Sequence, residues 1–116
     1  MSLAAYQRTR AIAETPREAE YRLMSQITGE MIQARDKGLS GGALMPTLWR
    51  NREVWNAFST ACGAPGNQLP DTLRASIISI ALWVDRHTSE VVTGRDSIDD
   101  LITVNRSIIE GLHEGI

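Results

Sequence analysis

Few residues in this 116-residue chain could do covalent or metal chemistry, and they are scattered. Cys62 and His87 are the one pair that would serve as a thiol nucleophile with its base. A catalytic histidine needs an orienting acid and a nucleophile or bound metal within reach. Asp85 lies two residues from His87, so on a helix the two side chains face different ways. Cys62 ends an apolar stripe, where cysteine behaves as a small hydrophobe, and no activating neighbour is evident. His113 lies near the C-terminus. Asp99-Asp100 carries the charge to hold a cation, but two acids just after Ser97 are ordinary in the first turn of a helix. Neither Gly41-Gly42 nor the stretch Gly63–Gly66 fits the G-x-x-x-x-G-K phosphate loop. A single cysteine makes no internal disulfide, and no Cys/His cluster has metal-ligand spacing. The expectation is a protein that is not an enzyme, with no catalytic residues, no metal and no cofactor. His87 reads as a satisfied, partly buried polar side chain.

The more informative polar residues are Asn51 and Asn105. Each interrupts an apolar helix stripe at its centre. A buried amide without partners costs roughly 1–3 kcal/mol, so each should be hydrogen-bonded. The favoured reading is a core contact that fixes helix register, with His87 a further structural polar residue of the core. The competing reading places one or both in a groove that a partner fills.

The elements that carry these residues are helices. Thr15-Pro16-Arg17-Glu18 supplies a cap, a first-position proline and the glutamate of a capping box. That helix should run over 16–37 and stop at Gly38, with Leu23, Met24, Ile27, Met31 and Ala34 on its main stripe. Tyr21, Thr28 and Ile32 form a weaker opposite line. After a loose Gly38–Gly42 segment, a second helix over 44–62 carries Leu44, Leu48, Trp55, Phe58 and Cys62, with Gly63 as its stop. Ala64-Pro65-Gly66-Asn67 suits a type II turn. A third helix over 70–93 opens at Pro70, ends at Gly94 and is apolar nearly all round. It is therefore either central in a bundle or covered by a partner. A fourth, over 97–112, shows a clean stripe of Ile98, Leu101, Ile102, Ile108, Ile109 and Leu112. Residues 3–13 have helical composition but a thin stripe, Leu3 and Tyr6, and read as a weaker N-terminal helix or arm. The fold class is all-α: a small antiparallel bundle of four main helices, in one domain over residues 1–116.

Composition narrows the function. The net charge is −2, and the arginines interleave with acids, so no basic stripe for nucleic acid forms. The apolar run Ile77–Val84 stops at Asp85-Arg86, too short to span a bilayer. The N-terminus has the reverse of a secretory signal's order. A cytoplasmic protein with no membrane and no direct nucleic-acid contact is expected. The segment Leu48–His87 holds every tryptophan, the phenylalanine and the cysteine. Trp49, Trp83, Tyr21 and Met45 lie off the main stripes of their helices, as do Ile78 and Leu82. Part of this set could be a second core layer. Tryptophan and tyrosine are also enriched as interface anchors, and the six together point to an occupied groove.

The chain resembles the bacterial flagellar biosynthesis regulator FlaF family of alphaproteobacteria over nearly its whole length. The likeness rests on Tyr6, on Thr15-Pro16-Arg17-Glu18-Ala19-Glu20-Tyr21-Arg22-Leu23, and on Trp49-Arg50-Asn51-Arg52 with Trp55 and Phe58. It continues through Ala64-Pro65-Gly66-Asn67-Gln68-Leu69-Pro70, Leu73-Arg74-Ala75-Ser76-Ile77-Ile78-Ser79, Leu82-Trp83-Val84 and His87-Thr88. It closes with Ile102, Asn105-Arg106-Ser107-Ile108 and Gly111-Leu112. One departure is Leu48, where the resemblance leads one to expect aspartate. The resemblance implies a non-enzymatic cytoplasmic factor that binds flagellin in a chaperone-like way and promotes its synthesis, secretion and assembly. It also implies concerted action with the translational regulator FlbT. The alternative is a post-transcriptional regulator of flagellin expression acting on RNA directly or through a partner protein.

Overall fold

The computed structural model describes residues 2–5 and 14–114, the last two by backbone only. Four long helices follow one another: α1 (Pro16–Asp36), α2 (Met45–Gly63), α3 (Asp71–Val92) and α4 (Ile98–Glu114). A 3-10 turn, Gly41–Leu44, leads into α2. That turn occupies part of the segment the sequence marked as loose, and Leu44 is buried in it. The expected N-terminal helix covers residues 3–13. Residues 3–5 are helical, and 6–13, with Tyr6, lie outside the described residues.

Local chemistry sets the helix ends. The Thr15 side chain accepts a hydrogen bond from the Glu18 amide at 3.1 Å, satisfying one of the donors a helix N-terminus leaves open. Gly38, at φ 71°, lets the chain leave α1 while the Leu39 amide donates back to the Ala34 carbonyl at 3.1 Å. Between α2 and α3 the Asn67 amide donates to the Ala64 carbonyl, and Gly66 takes φ 84°. This is the arrangement a type II turn requires after Pro65. Asn67 then ties the turn down. Its side-chain amide donates to the Ala61 carbonyl and its side-chain oxygen accepts from the Leu69 amide, each at 3.0 Å. Arg74 on α3 donates to the Cys62 carbonyl at 2.9 Å, filling an acceptor at the end of α2.

Cross-helix contacts show the up-down-up-down order. Arg50 on α2 donates to Glu30 on α1 at 3.0 Å, and Arg35 at the end of α1 donates to Asp99 at the start of α4 at 3.1 Å. Arg52 pairs with Asp85 on α3. The closest packing is α2 on α3 and α1 on α4, with α3 on α4 the lightest of the neighbouring pairs.

The core contains Met24, Met31, Leu48, Trp55, Ile77, Val84, Leu101, Ile102 and Leu112, none more than 1% exposed. Leu48, where the resemblance suggests aspartate, is fully buried there. An ionised carboxylate in the same surroundings would need a partner. Leu23 is a correction: expected on the core stripe of α1, it is 40% exposed. The buried face instead centres on Met24, Ile27, Thr28 and Met31, so it turns toward the line that seemed the weaker one.

Candidate functional site

Two polar constellations and one apolar face stand out from the packed core. The first constellation lies inside the bundle. The Trp55 indole N–H donates to Asn105 Oδ1 at 2.8 Å. The Asn105 amide donates to Asn51 Oδ1 at 2.9 Å and to Thr28 Oγ1 at 3.1 Å. The Thr28 hydroxyl in turn donates a hydrogen bond to the Met24 carbonyl at 2.6 Å. Asn51, Trp55 and Asn105 are fully buried, and Thr28 nearly so. The network joins α1, α2 and α4 at a single depth. A one-turn slip of any of the three helices would strand several buried polar atoms, so the network fixes register. One donor, Asn51 Nδ2, has no partner. Sequence reasoning picked out the two asparagines but not their partners. Trp55 looks like pure core and Thr28 like part of a weak stripe, and the helix phases that bring them together are a tertiary property.

Cys62 is buried with its thiol free. Burial pushes its pKa up, and the nearby Glu20 charge adds to the shift. The thiol is therefore held protonated and is a poor nucleophile.

The second constellation lies where α3 ends and α4 begins. His87 stacks on Trp83, ring centroids 4.4 Å apart and planes at 19°. Its two nitrogens face two aspartates: Nδ1 lies 3.8 Å from Asp96 Oδ2, and Nε2 lies 3.3 Å from Asp100 Oδ2. Asp85, the sequence neighbour first weighed beside His87, pairs with Arg52 instead. Asp96 and Asp100 come close because the chain reverses at Gly94. Asp99 faces another way and binds Arg35.

The six residues expected to contact a partner divide into two groups. Trp49 is 52% and Leu82 66% exposed, and Met45 and Ile78 are also exposed. Tyr21 and Trp83 are half-buried and packed against the core. The four exposed residues belong to two parallel ridges. On α2, Met45, Trp49 and Arg52 follow one another at helical spacing. On α3, Ile78, Leu82 and Asp85 do the same. The Arg52–Asp85 ion pair joins the ridges, with the Arg52 guanidinium 5.7 Å from the Trp49 ring centre. Trp49 precedes Arg52 and Leu82 precedes Asp85, so on these antiparallel helices the two exposed side chains flank the ion pair from opposite sides. A separate shallow, mostly apolar cleft of about 100 Å³ lies between α1 and α2, lined by Glu20 and by apolar residues that include Leu23, Val54, Ala57 and Phe58. Sequence periodicity missed it, because Leu23 read as core.

None of the described helices is long and apolar enough to cross a membrane. No curated protein and no solved structure gives a significant match to the chain. The family model for the flagellar protein FlaF matches residues 2–112. That span takes in the capped start of α1, the Trp49–Trp55 segment, the Pro65-Gly66 turn and the Asn105 network, and so this chain belongs to the FlaF family of flagellar proteins.

Proposed function

We propose that this chain serves flagellar biogenesis as a non-enzymatic binding protein that holds flagellin in the cytoplasm before export, using the outer face of α2 and α3. The observation that carries the reading is the pair Trp49 and Leu82, exposed by half and by two thirds on α2 and α3, with Met45 and Ile78 exposed on the same two helices. Exposed apolar surface of this kind is characteristic of partner sites. Flagellin's terminal segments are amphipathic helices that stay unpaired before polymerisation, and a helix with an apolar stripe fits such a face. Around it lie charges of both signs, Arg52 and Asp85 among them, which suits a mixed-charge protein partner better than a phosphate backbone. FlbT is the second partner of this reading, acting with the chain on flagellin synthesis. Cys62, kept protonated by burial, and the structural use of Asn51 and Asn105 favour binding over catalysis.

The test is co-purification with monomeric flagellin, without nucleotide, alongside a salt-dependent nucleic-acid binding assay. A complex with flagellin and no RNA or DNA retention supports the reading. RNA retention with no flagellin complex sinks it in favour of a regulator acting on the message.

A further inference from the structure

We propose that His87, Asp96 and Asp100 form a binding site for a divalent transition-metal ion, of which zinc is the best match, and that the ion clamps the end of α3 to the start of α4. One ligand atom from each residue falls within 4.8 Å of the other two. Nε2 of His87 is buried and makes no hydrogen bond, although Asp100 Oδ2 lies only 3.3 Å away. The carboxylate therefore sits close to the ring nitrogen but off the line along which an N–H would donate. Two ligands of one tetrahedral zinc, each bound at about 2.1 Å, stand about 3.4 Å apart. The His87–Asp100 spacing matches that separation. Asp96 is 46% exposed, so a side-chain rotation can carry its oxygen the remaining distance.

The surroundings favour an ion. Among the described residues, Asp96 and Asp100 have no ionic contact other than His87. Two arginines of this region are engaged elsewhere: Arg35 with Asp36 and Asp99, and Arg95 with Glu90. The His87 side chain is 11% exposed and its ring is held by the Trp83 stack, so the donor is preoriented. One imidazole and two carboxylates make a mixed nitrogen–oxygen set. Such a set prefers zinc and its first-row neighbours to magnesium or calcium, which take oxygen ligands alone. The remaining positions would hold water. The clamp would act where it matters most, because α3 and α4 pack more lightly than the other neighbouring helices.

The test uses the full chain without an affinity tag, stripped with a chelator and titrated with zinc by calorimetry. One ion per chain should bind, with a rise of several degrees in Tm. Asp96→Asn and Asp100→Asn are exposed substitutions that should keep the helical circular dichroism spectrum, and each should weaken zinc binding about tenfold or more. Cobalt(II) provides a second readout: it should quench tryptophan fluorescence, and Trp83→Phe should remove most of that quenching. No saturable binding by the stripped protein would overturn the proposal. So would binding that both aspartate variants leave unchanged, since the ion would then sit elsewhere.

Discussion

The indole N–H of Trp55 and the side-chain oxygen of Asn105 meet at 2.8 Å, tying α2 to α4 with both residues fully buried. The same amide reaches Asn51 and Thr28, so Asn105 is the hub of the interior. Removing one partner of a buried hydrogen bond costs more than the bond contributes, because the other partner loses water without compensation.

Asn105→Ala is therefore expected to destabilise the fold by about 3 kcal/mol, measured by urea unfolding. Trp55→Phe should cost about 1–3 kcal/mol, since it orphans Asn105 Oδ1. The double variant should lose less than the sum, and a double-mutant cycle reports the coupling. Strict additivity would mean that the two side chains do not share a bond in solution.

Trp49 and Trp83 should behave differently. Trp49→Ala removes an exposed ring and is expected to change stability by less than about 1 kcal/mol. Trp83→Ala removes a ring that packs on the core and stacks on His87, and is expected to lower stability by about 2 kcal/mol or more. Thermal melts of the two variants make the comparison.

Much of this was legible from residue types, and the limits are specific. Thr15, Gly38 and the Pro65-Gly66 turn announce helix ends through local chemistry that no tertiary contact overrides, so the observed helices fall within a residue or two of expectation. Burial phase is harder. Leu23 and Met24 are neighbours of similar character, and only the position of α2 decides which one faces inward. The approach of Asp100 to His87 depends on how the chain reverses at Gly94, and no spacing rule encodes it. Exposure of Trp49 and Leu82 could be read from the pattern because both fall off stripes already filled. Tyr21 and Trp83 fall off theirs too, yet neighbouring helices cover them in part.

Two glycines should respond with opposite signs to alanine. Gly29 lies inside α1, and a Cβ there would meet nothing within 4 Å. Gly29→Ala should stabilise by roughly 0.5–1 kcal/mol, from helix propensity and reduced freedom of the unfolded chain. Gly66 also has space, but its φ of 84° strains any L side chain. Gly66→Ala should destabilise by about 1–2 kcal/mol. Chemical denaturation of both variants checks the pair.

The Arg35–Asp99 contact sets a pH dependence. Hydrogen bonds from Arg35 and then Ser97 hold the Asp99 carboxyl below its ordinary pKa of 3.8. A carboxyl whose folded pKa is lowered contributes stability that is present above its unfolded pKa and disappears as pH falls through the folded value. The contribution should therefore be intact at neutral pH and lost below about pH 4. Asp99→Asn should show a shallower loss of Tm in that range than the parent. Identical acid profiles would mean that the pair is fully screened by solvent.

Affinity for monomeric flagellin, titrated against the parent and against Trp49→Ala and Leu82→Ala by calorimetry, bears on the proposed docking face without intermediaries. Truncating a central aromatic anchor commonly costs ~2 kcal/mol, about thirtyfold in Kd. The parent should bind, and Trp49→Ala should bind about thirtyfold more weakly while keeping its Tm. Leu82→Ala should show a smaller loss in the same direction. Undiminished binding by a variant carrying both substitutions, or no binding by the parent, would contradict a flagellin site on α2 and α3.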